Sequence, residues 1–102
     1  MLNQLVIVGR LTEIGEIKTG ANGKYCRITL AVPRSYKNAN GEYESDFIKV
    51  TLRGGVAETT TEYCRKGDII GIKGRIESTN KGNTKLVAEK VSFLSSKKES
   101  DE

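Results

Sequence analysis

The stretch from Phe47 to Ile76 reads FIKVTLRGGVAETTTEYCRKGDIIGIKGRI, and its hydrophobic period changes twice. From Phe47 to Arg53, apolar and polar residues alternate. Ile48, Val50 and Leu52 share one side; Phe47, Lys49, Thr51 and Arg53 share the other. A period of two is the mark of a half-buried strand. Gly54-Gly55 breaks it. From Val56 to Lys66 the spacing lengthens, and Val56, Ala57, Thr60, Tyr63 and Cys64 fall on one helical stripe. Glu58 lies early and Arg65-Lys66 late, as the helix dipole favours, and Gly67 stands where a C-terminal cap belongs. The run Thr59-Thr60-Thr61 is poor for an isolated helix, so packing has to hold it. Ile69 to Ile76 returns to a period of two, with Ile70, Ile72 and Ile76 on one face and Lys73 and Arg75 on the other.

Strand, helix, strand is thus the middle of the chain, and more strands lie on both sides. Leu5 to Leu11 puts Leu5, Ile7 and Leu11 on one face and Val6, Val8 and Arg10 on the other. Thr12 to Gly23 reads as a connection, with Gly15, Gly20 and Asn22-Gly23 as turn signals. Tyr25 to Val32 alternates Cys26, Ile28, Leu30 and Val32 against Tyr25, Arg27, Thr29 and Ala31. Pro33 ends regular pairing or confines it to an edge. The polar stretch from Pro33 to Ser45 reads as a loop with a hairpin signal at Asn40-Gly41. After a short turn from Asn80 to Thr84, Lys85 to Leu94 forms the last strand, with Val87, Val91 and Phe93 inward. Five strands with a single helix between the third and fourth are the plan of an all-β OB-fold barrel, in which the helix plugs one end. A small barrel of SH3 type does not supply that helix.

The chain of 102 residues makes one domain. Residues 1–94 form the barrel, and Ser95 to Glu102, lacking any apolar residue, read as a disordered polar tail. No apolar run approaches the roughly 20 residues of a membrane span, and the N-terminus opens without a signal-peptide pattern. A cytoplasmic protein is expected. The absence of histidine removes the Ser-His-Asp triad and nearly every zinc site. No catalytic residue, metal site or cofactor is expected. Cys26 and Cys64 fit buried thiols in a reducing compartment; a disulfide is the competing reading.

Seventeen Lys and Arg against thirteen Asp and Glu give a net charge of +4. Where the cations fall matters more than the sum. The non-core side of Phe47 to Arg53 presents one aromatic, two cations and a small hydroxyl. An aromatic ring stacks on any base, and Lys or Arg then holds the phosphates. An ordinary solvated face with one stray aromatic is the bland alternative. The same chemistry recurs at Arg34-Ser35-Tyr36-Lys37, and Lys73 and Arg75 repeat the cationic face. Basic patches with interleaved aromatics are the footprint of nucleic-acid binding. Tyr36 and Phe47 are therefore the expected stackers, and Arg34, Lys37, Lys49, Arg53, Lys73 and Arg75 the expected phosphate contacts. Val6 and Val8 leave apolar surface on an otherwise polar exterior.

The chain also resembles the bacterial single-stranded DNA-binding proteins. Asn3-x-Leu5-x-x-x-Gly9-Arg10-Leu11-Thr12 is similar to the family's opening. Ile28-Thr29-Leu30-Ala31-Val32, Asp46-Phe47-Ile48-Lys49-Val50, Ala57-Glu58, Tyr63, Lys66-Gly67-Asp68 and Gly71-Ile72-Lys73-Gly74-Arg75 continue it in order. The resemblance implies sequence-tolerant binding of single-stranded DNA in replication, recombination and repair. It also implies a homotetramer, or at least a dimer, paired through the strand edge that carries Val6 and Val8. Its stacking aromatics fall on Tyr36 and Phe47, and the neighbouring cation on Lys49.

Three departures stand out. Arg53 takes a place where the family often has an aromatic. The hairpin from Ser78 to Lys85 has none. Glu99-Ser100-Asp101-Glu102 is acidic but lacks the family's apolar ending, which puts recruitment of replication and repair proteins in doubt. The short form fits a phage or mobile-element version as well as a bacterial one. A primosome-type adaptor on the same barrel, chiefly docking other proteins, is the alternative function, and an RNA-binding barrel a third.

Overall fold

The computed structural model describes residues 1–96. Its elements are β1 (Leu5–Ile14), β2 (Lys18–Gly20), β3 (Gly23–Lys37), β4 (Tyr43–Arg53), α1 (Gly54–Tyr63), β5 (Ile69–Ser78) and β6 (Thr84–Ser95). The strands form one sheet in the order β1-β5-β6-β4-β3-β2, and a further pairing of β1 with β3 closes it. Pairing is antiparallel except between β4 and β6, which run parallel through Val50–Leu86 and Thr51–Val87. With the helix between β4 and β5, this is the expected OB barrel.

β1 serves two neighbours. Leu5 to Arg10 run along β5, and Arg10 to Ile14 along β3. Thr12 is an extra residue at the changeover, since Leu11 opposes Leu30 while Glu13 opposes Thr29. A bulge of this kind bends a strand enough to join two sides of a barrel. The core takes Leu11, Cys26, Ile28, Leu30, Val50, Leu52, Ile70 and Ile72 from the strands and Ala57 from the helix. The alternation read from the sequence puts these residues inside. Cys26 and Cys64 are free thiols, both buried. Burial pushes each thiol up from its ordinary pKa. Asn3 acts as a substitute strand partner at the edge of β5: its side chain donates to the Ile76 carbonyl at 2.7 Å and accepts from the Ile76 N–H at 3.0 Å.

Five local expectations need correction. The connection from Thr12 to Gly23 contains β2, a strand of three exposed residues without the apolar alternation that marks a buried face. The stretch from Pro33 to Ser45 is mostly paired. β3 runs through Pro33 to Lys37, and β4 starts at Tyr43, leaving a tight turn. There the Asn38 side chain accepts from the N–H groups of Asn40 and Glu42, and Gly41 takes a φ of +78°. Proline is tolerated in β3 because the pairing shifts between Pro33 and Lys37.

The helix spans Gly54–Tyr63 rather than Val56 to Lys66, with no acid in its first turn and no base in its last. Tyr63 faces solvent, and Cys64 is the cap. Gly67 belongs to the next turn. Its N–H donates to the Leu11 carbonyl at 2.7 Å, and Arg10 donates to the Gly67 carbonyl at 2.6 Å. These tertiary bonds satisfy the backbone there, so the helix does not extend to it.

Phe93 and Ile76, expected inward, are exposed. Lys73 opposes Lys90 while Gly74 opposes Ala88, so Glu89 is an extra residue in β6; a second shift falls between Ile69 and Ile70. Each shift breaks strict alternation, and simple parity fails along β6. The expected tail begins inside the fold, because Ser95 ends β6 opposite Ile69. Residues 97–102 lie outside the described residues. Among the described residues, no helix is long and apolar enough to cross a membrane.

Candidate nucleic-acid interface

The outer faces of β3 and β4 are matched in register. Tyr25 lies opposite Arg53, Arg27 opposite Thr51, Thr29 opposite Lys49, and Ala31 opposite Phe47. The partners of Lys49 and Phe47 are small, so the ring stands clear of its neighbours. Phe47 is 67% exposed. A half-open phenyl group beside a lysine can stack a base and hold the adjoining phosphate.

Further out, the strands continue as a two-stranded arm. By the alternation of β4, Tyr43 lies on the same face as Phe47, two pleats away, and it is 60% exposed. Lys37 pairs with Tyr43, and its ammonium sits 5.7 Å from the centre of that ring, a cation–π distance. Tyr36 is 63% exposed. It belongs to the strand end rather than to a loop, within the stretch where the β3–β4 pairing shifts between Pro33 and Lys37. The alternation of β4 thus brings Tyr43 into line with Phe47. Sequence reasoning misses Tyr43 because the polar stretch around it reads as a loop. The signal was its even spacing from Phe47.

The six expected phosphate contacts divide into two groups. Lys37, Lys49 and Lys73 carry no ion pair among the described residues. Lys73 is set apart from the β3–β4 face, between Val6 of β1 and Lys90 of β6 in register. The three arginines are all held by carboxylates. Arg34 donates through Nη2 to Asp46 at 2.8 Å and through Nη1 to Glu44 at 2.9 Å. Arg53 donates to Glu77 Oε1 at 2.9 Å, and Arg75 Nε to Glu77 Oε2 at 3.0 Å. Arg75 also lies 3.6 Å from Glu89.

Arg27 adds a cation that the sequence reading left out, exposed and unpaired among the described residues. It lines a shallow cavity of about 200 Å³ together with Lys24, Tyr25, Thr51, Arg53 and Lys85. Its alternation with Cys26 and Ile28 was the available signal. Val6 and Val8 are exposed as expected, Val6 at 74%. Leu94 and Val8 side-chain carbons lie 3.6 and 3.8 Å from where a Cβ on Gly71 would stand, so Val8 and Leu94 cover the sheet together there.

The ion pairs shift their carboxylates. Hydrogen bonds from Arg53 and then Arg75 hold Glu77 below the usual glutamate range, and the hydrogen bond from Arg34 does the same for Asp46. A carboxyl group whose pKa is depressed by folding stabilises the fold above its unfolded value. That contribution disappears as pH falls through the folded value. The melting temperature should therefore drop as pH is lowered below about 4. The drop should be shallower in an Asp46→Asn, Glu77→Gln double variant. Equal acid sensitivity, measured by thermal denaturation across pH 2–6 on the order of those carboxylate values, would place the titrating groups elsewhere.

Known proteins agree with this architecture. The model of the single-strand binding protein family matches residues 2–94. Single-stranded DNA-binding protein B of Bacillus subtilis is 40% identical over 106 residues, covering 95% of this chain and 94% of that protein. Single-stranded DNA-binding protein 1 of Clostridium acetobutylicum is 38% identical over 109 residues, covering 96% of this chain and 98% of that protein. The crystal structure of a small single-stranded DNA-binding protein from Streptomyces coelicolor has the same fold. Its TM-score is 0.68 at 19% identity, covering 92% of this chain and 95% of that one. The family match over the barrel and the two relatives of near-equal length make this chain a member of the single-strand binding protein family.

Proposed function

We propose that this protein binds single-stranded DNA without catalysis and with little regard to sequence, serving replication, recombination and repair in the cytoplasm. Family membership supports this reading, and one observation carries it on the molecule: Phe47 stands exposed on the same strand face as Lys49, which forms no ion pair among the described residues. Bases stack on Phe47 and on the arm tyrosines Tyr43 and Tyr36. Arg27, Lys37 and Lys49 take phosphates along the β3–β4 face. Titration with a thymidine homopolymer across a salt series tests the reading. Three phosphate contacts at about 0.7 each put the slope of log K against log salt near −2 per protomer. A flat salt response, or tighter binding to duplex, would overturn it. A matched RNA oligomer binding more tightly than DNA would favour an RNA-binding barrel.

The oligomer is part of the proposal. Val6 and Val8, with Leu94 beside them, form an apolar face on β1 that pairs with its copy, and two such pairs make the tetramer. Introducing a charge there, Val6→Lys, should shift the mass toward dimer or monomer at micromolar concentration. An unchanged mass by light scattering would move the interface elsewhere.

A further inference from the structure

We infer that Glu77 occupies the place of a DNA phosphate. Its carboxylate fills a two-arginine fork made by Arg53 and Arg75, and so withholds that fork from the bound strand. The inference rests on the single-stranded DNA reading and deepens it.

The fork is assembled from two strands. Arg53 ends β4, and Arg75 and Glu77 sit two residues apart on β5, on the same side of the sheet. Arg53 reaches one carboxylate oxygen at 2.9 Å and the other at 3.4 Å. Arg75 reaches the second oxygen through Nε at 3.0 Å and also through Nη2. Two planar guanidinium groups closing on the oxygens of one anion are the arrangement that recognises phosphate.

The surroundings favour an anion larger than the carboxylate. Lys85 faces Glu77 across the β5–β6 pairing. It also lines the shallow cavity that contains Arg27 and Arg53. Arg53 thus belongs at once to the fork and to a surface on which Arg27 and Lys85 form no ion pair within 4 Å among the described residues. A strand lying over Phe47 and Lys49 reaches this cavity by continuing along β4, because Lys49, Thr51 and Arg53 are successive residues of one face. At the fork it meets Glu77 already in position. The carboxylate is tethered and competes with the phosphate at a high effective concentration. The arginines therefore contribute little to the affinity of the protein as it stands, despite facing the strand's path.

The test is Glu77→Gln, which keeps the size of the side chain and removes the charge, compared with the unaltered protein on a thymidine homopolymer across a salt series. Arg53 is the contact released, since Arg75 keeps Glu89 at 3.6 Å, and the slope of log K should steepen by about 0.7. At 0.1 M salt, one contact corresponds to roughly fivefold tighter binding by the same relation. Adding Arg53→Gln to Glu77→Gln should remove at least half of the gain. Thermal denaturation in inorganic phosphate gives a reading independent of DNA, with stabilisation in Glu77→Gln and none in the unaltered protein.

An identical slope and affinity in a folded Glu77→Gln protein would overturn the inference while leaving the single-stranded DNA reading intact. Weaker binding would also overturn it and make Glu77 a residue that positions the arginines for DNA. A failure of the unaltered protein to bind the homopolymer would instead defeat the reading on which the inference rests.

Discussion

Phe47→Ala is expected to weaken single-stranded DNA binding by about 3 kcal/mol, the upper end of the range for losing one base–aromatic stack. Three features put it there. The ring stands on a paired strand rather than a loop, so little ordering is left to complete on binding. Its cross-strand partner is Ala31, which leaves the ring's face open. Lys49, on the same face of β4, is placed to take the phosphate next to a base stacked there. The salt slope should stay the same, because no charge is lost.

Tyr43→Ala and Tyr36→Ala should each cost less, near 1 kcal/mol, because the arm stands away from the barrel core. The chain has no tryptophan, so its emission comes from tyrosine. Quenching on DNA binding should diminish in Tyr36→Phe and in Tyr43→Phe while affinity persists. A folded Phe47→Ala protein that binds like the unaltered one would show that the β3–β4 outer face is not the stacking platform.

The second large effect is on stability. A Cβ built on Gly74 runs into the Val87 carbonyl oxygen, with the Val87 carbonyl carbon at 3.1 Å and the Ala88 Cα at 3.2 Å. All three atoms are backbone, so they can give way only if β5 and β6 separate. Overpacking of this kind typically costs up to about 3 kcal/mol, and Gly74→Ala should lie at that end. For a domain of this size the melting temperature should fall by roughly 15 °C. Gly71→Ala is the control on the same strand. Its Cβ would meet only side-chain carbons, Leu94 at 3.6 Å and Val8 at 3.8 Å, which is ordinary contact. That substitution should change stability by less than about 0.5 kcal/mol. Similar melting temperatures for the two variants would mean that the close approach at the β6 bulge relaxes freely.

Single residues show where legibility stopped. Ile28, Leu30, Val50, Leu52, Ile70 and Ile72 could be assigned to the core from alternation alone, because a strand with one buried face must repeat every two residues. Phe47 and Lys49 followed from the same rule as the residues left on the other side. Phe93 did not. It needed the two register shifts in β6, and the sequence around Glu89 and Leu94 carries no glycine or proline to announce them. The helix was visible as a change of period. Its true end was not, because the backbone of Gly67 is satisfied by Leu11, a residue far away in the chain.

The sequence by itself determined the class of barrel, most of the inward residues, and the presence of aromatics among cations on the outer side. Hydrophobic burial is dictated by local periodicity, and a cation is a cation wherever it lands. The tertiary structure alone decided which cations are free. Arg34, Arg53 and Arg75 look like Lys49 in a sequence. Strand pairing brings Asp46 and Glu44 onto the first and Glu77 onto Arg53, from 10 to 24 residues away, while Arg75 meets the same Glu77 two residues along its own strand. Tertiary pairing likewise turned an expected loop into an arm and put Tyr43 in line with Phe47. Long-range register sets these outcomes, and it is a property of the closed sheet rather than of any segment.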